Sequence, residues 1–245
     1  MNIIVADSYE VMSQNAAADV IAFMNQSTHP LICVASGDSP AGLYKELVEK
    51  VKSGELDIAN WYFAGLDEWI GMNAEDQGSC RYILDQQLFQ PLRVPENRIC
   101  FFDGKAVNTD MECKKMEDYI ALHGGLDVAV LGLGMNGHIG LNEPGTPAHL
   151  TSHVSVIAQQ TQEVGQKYFN SARTLTNGIT MGLATLLAAK HLILVVSGAK
   201  KAAILQHGLE GEQTENVPLS LLRNHPAFTV YCDKEAGRLL SGLSR

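Results

Sequence analysis

Short apolar runs alternate with segments of helical periodicity along the whole chain. The apolar runs cover residues 3–5, 31–35, 61–66, 128–133, 192–196 and 228–232. The helical segments cover residues 8–25, 40–52, 79–88, 111–123, 178–189, 200–209 and 234–243, with Ser8 and Ser39 as candidate N-caps. This alternation is typical of parallel strands joined by crossover helices. It predicts an α/β fold in which one doubly wound, mostly parallel sheet carries helices on both faces, within a single domain over residues 1–245.

One long stretch, residues 136–160, shows neither period and is rich in Gly, Pro, His and Thr. Long loops inside a compact domain are usually functional. In open α/β sheets, ligands bind beyond the carboxyl ends of the strands. We therefore looked for chemistry in the residues that directly follow each predicted strand.

Small residues follow the second predicted strand. Ser36, Gly37, Asp38 and Ser39 precede Pro40 and a helical segment. Such a turn presents free backbone N–H groups and the positive end of a helix dipole at one point, where serine hydroxyls add donors. The segment predicts an anion site, and the alternative is a tight turn in which Ser39 is the N-cap and Pro40 the first helical residue. It lacks the lysine of a nucleotide-binding P-loop.

Two adjacent acids, Asp67 and Glu68, follow the third predicted strand. Adjacent carboxylates at the end of a buried strand repel and desolvate each other, which can raise one pKa into the range of a general base. The alternative is a helix N-cap followed by an acid in the first helical turn. Local sequence leaves both interpretations open.

The fourth predicted strand ends in Gly132-Leu-Gly-Met-Asn-Gly137, which matches the spacing of a dinucleotide fingerprint. That fingerprint requires a helix at its last glycine and an acid about 20 residues further on. Here Gly140 and Pro144 disfavour the helix, and no acid lies between Glu143 and Glu163. A glycine-rich wall that a substrate can approach closely is the better interpretation.

The same segment places Asn136, His138 and Glu143 within eight residues. A histidine flanked by an amide and a carboxylate is a candidate acid–base group, because a neighbour can fix its tautomer and basicity. Another candidate is the pair Lys200 and Lys201 at the start of a predicted helix, where cations are unfavourable unless an anion is bound. Metal binding by His149 and His153 is a weaker option because no third ligand is evident.

Composition limits the kinds of binding partner and the cellular compartment that we expect for this protein. The net charge is 18 − 27 = −9 with scattered basic residues, which disfavours nucleic acid and anionic membranes as partners but permits a small anionic substrate. Five cysteines without a C-x-x-C pair favour a reducing cytosol. We find neither a signal peptide pattern nor an apolar run of about 18 residues, so we expect a cytoplasmic protein.

The segments LDEW (residues 66–69) and GLGMNGHIGLNEPG (residues 132–145) together resemble the glucosamine-6-phosphate deaminase family and its galactosamine-6-phosphate relatives. Residues 36–40, 176–183 and 197–202 also occur in the order and spacing of that family. The resemblance implies an α/β enzyme that converts an amino-sugar phosphate and water to a ketose phosphate and ammonia. It also implies that no metal or organic cofactor is used.

Residue roles follow from the same resemblance. It implies that Asp67 moves a proton between C1 and C2 of the sugar and that His138 is the base of ring opening, with Asn136 and Glu143 as its partners. The residues that match the phosphate site of the family are Ser36, Gly37, Ser39, Lys167 and Lys201.

Two positions depart from the pattern of the family. Its best-known allosteric members carry Asp where Asn136 stands, and an amide can orient an imidazole but cannot stabilise imidazolium as a carboxylate does. Lys167 stands in place of the usual arginine, which gives a point charge instead of a bidentate fork. No Lys or Arg lies between Ile139 and Gln166, so we expect no activation by an N-acetylated sugar phosphate.

Two alternative functions remain at this point. A 6-phosphogluconolactonase would share the fold and phosphate loop, but its pattern has an arginine after the paired acids and lacks the Asn-Glu-Pro motif. A sugar-phosphate sensor would be expected to carry a DNA-binding module, which the sequence lacks. Trp69 and Leu141 favour the galactosamine-type relatives without deciding the epimer. The sequence leaves the oligomeric state open, a homo-oligomer included.

Overall fold

The computed structural model describes residues 1–241 of the chain. The strands are Asn2–Ala6 (β1), Leu31–Val34 (β2), Tyr62–Gly65 (β3), Asp67–Trp69 (β4), Ile99–Cys100 (β5), Val128–Leu131 (β6), His153–Val156 (β7), Asn177–Thr180 (β8), His191–Val196 (β9) and Phe228–Asp233 (β10). The α-helices are Tyr9–Met24 (α1), Asp38–Ser53 (α2), Cys80–Leu84 (α3), Gln90–Leu92 (α4), Thr109–Leu122 (α5), Gln159–Gly165 (α6), Leu183–Leu187 (α7), Ala202–Glu210 (α8), Pro218–Leu221 (α9) and Lys234–Gly237 (α10). A π-helical turn, Asp85–Phe89, joins α3 to α4, and a 3₁₀ turn, Gln166–Tyr168, follows α6.

Seven strands form the central sheet in the order β1-β10-β9-β6-β2-β3-β5, and every pair in it is parallel. All six predicted strands belong to this sheet. From β2 the chain moves outward through β3 to β5, then returns to β6 on the other side of β2 and continues to β9 and β10. The loops after β2 and β6 therefore diverge, which opens a crevice at the carboxyl ends of these two central strands.

Both faces of the sheet are covered, which confirms the doubly wound prediction. Alternate side chains of one strand enter two separate apolar cores, as strand geometry requires. In β2, Ile32 and Val34 pack with α1 and α2 on one face, while Leu31 and Cys33 face the core that includes Met116 of α5 and residues of α8. Such double burial explains why the strands read as continuous apolar runs.

A second sheet of three antiparallel strands, in the order β4-β8-β7, was not predicted. The expected helix over residues 178–189 is wrong in its first part, because Asn177–Thr180 is a strand that pairs with β4 and β7. Gly178 fits here because a Cβ on it would come within 2.1 Å of Leu141. The stretch over residues 136–160 also contains β7, so it is not entirely without regular structure.

Helix starts differ from the prediction at one functional place. Ser8 caps α1, as expected, and accepts a hydrogen bond from the backbone N–H of Val11. Ser39 is not an N-cap, because α2 begins at Asp38 and Gly37 takes the cap position with φ of 117°. Part of the predicted helix over residues 234–243 lies outside the described residues. No helix within residues 1–241 combines the length and apolarity needed to cross a membrane.

Candidate active site

Loops from four neighbouring strands meet in one cavity. The strands β9, β6, β2 and β3 lie side by side, and the residues that follow each of them line the same cleft. Of the predicted site residues, those that line it are Ser36, Gly37, Ser39, Asp67, His138, Lys167 and Lys201. The other two, Asn136 and Glu143, bind each other beside His138. The structure therefore brings all nine predicted residues together.

Asp67 is held by the second sheet. It begins β4, where it pairs with Thr180 of β8, so its backbone is fixed on a strand and not at a helix start. This excludes the N-cap alternative for Asp67. The neighbouring Glu68 is fully buried and accepts hydrogen bonds from the backbone N–H groups of Trp69 (2.8 Å), Cys80 (3.0 Å) and Arg81 (2.9 Å). Glu68 thereby ties β4 to the first turn of α3.

Burial controls the electrostatics of this acid pair. Desolvation raises the pKa of Asp67 to about 6, although a hydrogen bond with the Cys80 thiol and the attraction of His138 act in the opposite direction. Desolvation also raises the pKa of Glu68, and repulsion from Asp67 is only a minor contribution. The predicted rise in pKa is therefore present, but its main cause is loss of water. At neutral pH, Asp67 is an ionised base with raised proton affinity.

His138 is oriented by a short relay of side chains. The Oε2 atom of Glu143 accepts a hydrogen bond of 2.7 Å from Nδ2 of Asn136. The Oδ1 atom of Asn136 lies 2.8 Å from Nδ1 of His138 and 3.1 Å from its backbone nitrogen. A direct contact between the Glu143 carboxylate and the imidazole is longer, at 3.6 Å. The amide thus stands between the carboxylate and the ring.

The relay determines which ring nitrogen of His138 carries the proton. An ionised carboxylate only accepts hydrogen bonds, so Asn136 must turn its NH₂ group toward Glu143 and its oxygen toward the ring. That oxygen is also only an acceptor, so Nδ1 of a neutral His138 must be the protonated nitrogen. Nε2 is then unprotonated and is the nitrogen available to a ligand in the cavity.

Glu143 is suited to remain ionised in this setting. Burial by itself raises its pKa, but the interactions with His138, Thr161 and Asn136 outweigh burial and bring the pKa below its ordinary value.

The imidazole ring of His138 needs space beside the backbone, and Gly134 provides it. A Cβ at Gly134 would lie 2.3 Å from the imidazole atoms of His138. Close packing against His138 therefore explains why glycine stands at position 134, and no bound dinucleotide is needed to explain it.

The predicted anion site lies at the loops after β2 and β9. Gly37 caps α2, a helix of 16 residues, and its φ of 117° is a conformation that favours glycine. The hydroxyl groups of Ser39 and Ser197 lie 2.9 Å apart, and the backbone N–H of Ser197 donates to Ser39 at 3.2 Å. Serine hydroxyls and a helix N-terminus therefore face one point of the cavity.

Two lysines bring positive charge to this point. Desolvation, together with repulsion from Lys167, lowers the pKa of Lys201 to about 8. Lys201 donates a hydrogen bond to the carbonyl of Leu133, while Lys167 binds Asp38 at the exposed rim. A bound anion would relieve the repulsion between the two cations. Lys200, which directly precedes Lys201, is exposed and does not line the cavity.

Three further residues of the site were missed by sequence reasoning. Thr161 of α6 contacts the relay, Cys80 lies beside Asp67, and Tyr168 lies over Gly37, where an added Cβ would be 3.6 Å from its hydroxyl. The adjacency of Tyr168 to Lys167 was the only available signal. Within residues 1–241, no group of three or more His, Cys, Asp or Glu side chains could hold a metal ion.

Comparisons with known proteins identify the family of this chain. The family model described as glucosamine-6-phosphate isomerases/6-phosphogluconolactonase matches residues 6–231. A glucosamine-6-phosphate deaminase of Shouchella clausii is 38% identical over 237 residues, which cover 96% of this chain and 96% of that protein. Its counterpart from Thermoanaerobacter pseudethanolicus is 34% identical, with 98% and 95% covered.

Comparisons with solved structures show which proteins share this fold. A monomeric glucosamine-6-phosphate deaminase superposes with a TM-score of 0.94 at 32% identity, over 98% of this chain and 100% of that one. A 6-phosphogluconolactonase from Trypanosoma cruzi superposes with a TM-score of 0.80 at 22% identity, over 98% and 97%, which shows a shared fold. The chain therefore belongs to the family of glucosamine-6-phosphate isomerases and 6-phosphogluconolactonases.

Proposed function

We propose that this protein is an amino-sugar-6-phosphate deaminase, which converts glucosamine 6-phosphate or its galactosamine epimer, with water, to a ketohexose 6-phosphate and ammonia. One observation carries the proposal. Asp67 and His138, which follow β3 and β6 on either side of β2, line the same cavity, and that cavity also contains two lysines and the N-terminus of α2. The names of the most similar relatives support this choice within the family.

The first step is opening of the pyranose ring. The reaction requires removal of a proton from the anomeric hydroxyl and delivery of a proton to the ring oxygen. His138 presents an unprotonated Nε2, because its Nδ1 is held by the Asn136 amide, so the same nitrogen can take the first proton and return it. Glu143 keeps the amide in the required orientation.

Asp67 then carries out the proton transfer in the open chain. As a carboxylate it takes the proton from C2 while a proton of the substrate's own ammonium group passes to the aldehyde oxygen O1, which gives a neutral enolamine between C1 and C2, and it then returns the first proton to C1. The C2 carbon becomes an iminium carbon, water adds to it, and the C–N bond breaks to release ammonia and leave the ketone. Burial favours this role, since a carboxylate with a pKa of about 6 is both ionised and basic at neutral pH.

Phosphate binding positions the sugar for both steps. Backbone N–H groups at the start of α2, the hydroxyls of Ser36 and Ser39, and the ammonium groups of Lys167 and Lys201 form the proposed phosphate site. Binding energy from this unreactive end of the substrate orients C1 and C2 against the acid–base groups.

Replacing Lys201 with Met raises KM for the sugar phosphate by about ten- to a hundred-fold, because a charge-assisted hydrogen bond is lost. The methionine keeps the apolar stem of the side chain, so the loss reports the charge. The matched control is Lys200→Met, an exposed neighbour outside the cavity, which keeps the wild-type KM. Equal KM values for the two variants would remove Lys201 from the phosphate site.

The pH dependence of kcat/KM tests the state of Asp67. The ionised carboxylate is the active form and burial raises its pKa to about 6 in the ligand-free protein, so kcat/KM falls as the pH drops through about 6. The measurement is kcat/KM, corrected for the ionisation of the free sugar phosphate, which is titrated separately. Circular dichroism at each pH confirms that the protein stays folded. A corrected kcat/KM that is constant between about pH 7 and about pH 5 contradicts the assignment of Asp67 as the base.

Ammonia release from glucosamine 6-phosphate and galactosamine 6-phosphate tests the proposed function. We expect release from at least one epimer, and side-by-side kcat/KM values assign the preference, which Trp69 and Leu141 bias toward galactosamine. Hydrolysis of 6-phosphogluconolactone without ammonia release from either amino sugar would establish the lactonase alternative. Binding of sugar phosphates without turnover would establish a sensor.

The compartment and the expected lack of activation belong to the same proposal. All five cysteines are free and four of them are buried, which supports a reducing, cytoplasmic setting. The segment between Ile139 and Gln166 carries no Lys or Arg that could bind a second sugar phosphate. Addition of N-acetylglucosamine 6-phosphate to the ammonia assay is therefore expected to leave the rate unchanged.

A further inference from the structure

The helix α6 sends one side chain into the relay behind His138. Thr161 is 7% exposed, and its Oγ1 atom lies 3.2 Å from Nδ1 of His138 and 3.5 Å from Nδ2 of Asn136. One hydroxyl thus contacts both the imidazole and the amide of a relay that is otherwise confined to residues 136–143.

Donor and acceptor roles assign a direction to these contacts. Nδ1 of His138 carries a proton, because the Asn136 oxygen opposite it can only accept. The oxygen of Thr161 is then a second acceptor for that proton. Asn136 and Thr161 therefore present two oxygens to the same N–H of His138.

The second acceptor matters because the first one, an amide oxygen, is neutral. When His138 takes the proton of the anomeric hydroxyl, the ring becomes an imidazolium whose Nδ1–H is a stronger donor. The Glu143 carboxylate is 3.6 Å away, so the oxygens of Asn136 and Thr161 are the direct acceptors of that N–H. Two acceptors on one N–H also oppose rotation of the ring.

We propose that Thr161 is a positioning residue for ring opening, whose hydroxyl oxygen holds the Nδ1-protonated tautomer of His138 as a second acceptor beside Asn136. This inference rests on the proposed function for its kinetic consequence. It also ties α6 to the reaction, and the turn that follows α6 carries Lys167 and Tyr168 to the wall beside Gly37. The same chain segment therefore serves both the acid–base relay and the anion site.

Two matched pairs of variants isolate the hydroxyl of Thr161. The first pair compares the wild-type threonine with Thr161→Val, which lacks the hydroxyl but has nearly the same shape. The second pair compares Thr161→Ser, which keeps a hydroxyl, with Thr161→Ala, which differs from the serine variant only in lacking it. We expect kcat to fall about five- to ten-fold in the Val and Ala variants with KM within about twofold, and the Ser variant to retain wild-type kcat. If Val at this position prevents folding, the comparison of Ser with Ala gives the same information.

A readout independent of turnover is the nitrogen NMR spectrum of the histidine side chains, in which the His138 signals are assigned by their loss in His138→Gln. We expect a single Nδ1-protonated tautomer in wild type and Thr161→Ser, and a mixture of tautomers in Thr161→Val and Thr161→Ala. Unchanged kcat and an unchanged tautomer in the variants without a hydroxyl overturn the inference. Absence of ammonia release in wild type overturns the proposed function, while the tautomer comparison still decides the role of Thr161.

Discussion

Asp67→Asn lowers kcat for ammonia release by about a thousand-fold or more, while the Kd of glucosamine 6-phosphate changes by less than about threefold. The amide matches the carboxylate in shape but cannot take the proton from C2. The groups proposed to bind phosphate lie on other loops of the cavity, so affinity is preserved. The rate is measured as released ammonia, and Kd by calorimetry with glucosamine 6-phosphate itself, which the variant does not consume.

Stability provides the control for this variant. Desolvation raises the pKa of Asp67 to about 6 in the folded protein, above the value of an exposed aspartate. The folded state therefore binds this proton more tightly than the unfolded chain does, and it loses stability as the pH rises through that range. A neutral amide avoids this cost, so the variant unfolds at the same or a higher temperature at pH 8. Near-normal kcat in a folded variant refutes the role of Asp67.

His138→Gln lowers kcat by about a hundred- to a thousand-fold when the substrate enters as a pyranose, because the amide of glutamine cannot carry the proton from O1 to the ring oxygen. Spontaneous ring opening leaves a residual rate. The matched control is His29→Gln, an exposed histidine that does not line the cavity, which keeps the wild-type rate.

A proton-exchange experiment separates the two catalytic roles. Fructose 6-phosphate, the ketose product of glucosamine 6-phosphate, exists partly in the open form and exchanges a C1 proton when Asp67 acts on it. In D₂O with ammonium present, we expect His138→Gln to retain this exchange and Asp67→Asn to lose it. Loss of exchange in both variants, or in neither, contradicts the division of labour between ring opening and proton transfer.

Most of the central sheet could be predicted because its inner strands are buried on both faces. Double burial makes a strand a continuous apolar run, which is visible without any knowledge of its neighbours. The strand Ile99–Cys100 was missed because two residues give no period, and β4, β7 and β8 were missed for a different reason. Their strand character comes from pairing with one another across large separations in sequence, as between Asp67 and Thr180, which are 180 − 67 = 113 residues apart.

Chemistry at the strand ends was also accessible from the sequence. Parallel strands place their carboxyl ends at one edge of the sheet, so Asp67, His138 and the Ser36–Gly37 turn were expected to be close, and they line one cavity. Thr161 offered no such signal. It lies in a short helix 18 residues after Glu143, and only the packing of that helix against the loop after β6 brings its hydroxyl to His138.

The sequence by itself determined the order of strands and helices along the chain and the reactive residue types at the strand ends, because periodicity and turn chemistry are local properties. Only the tertiary structure decided the second sheet that holds Asp67, the desolvation that raises its pKa, and the hydrogen bonds that select the tautomer of His138. These depend on which distant segments exclude water from a group or supply its partner, and no short stretch of sequence contains that information.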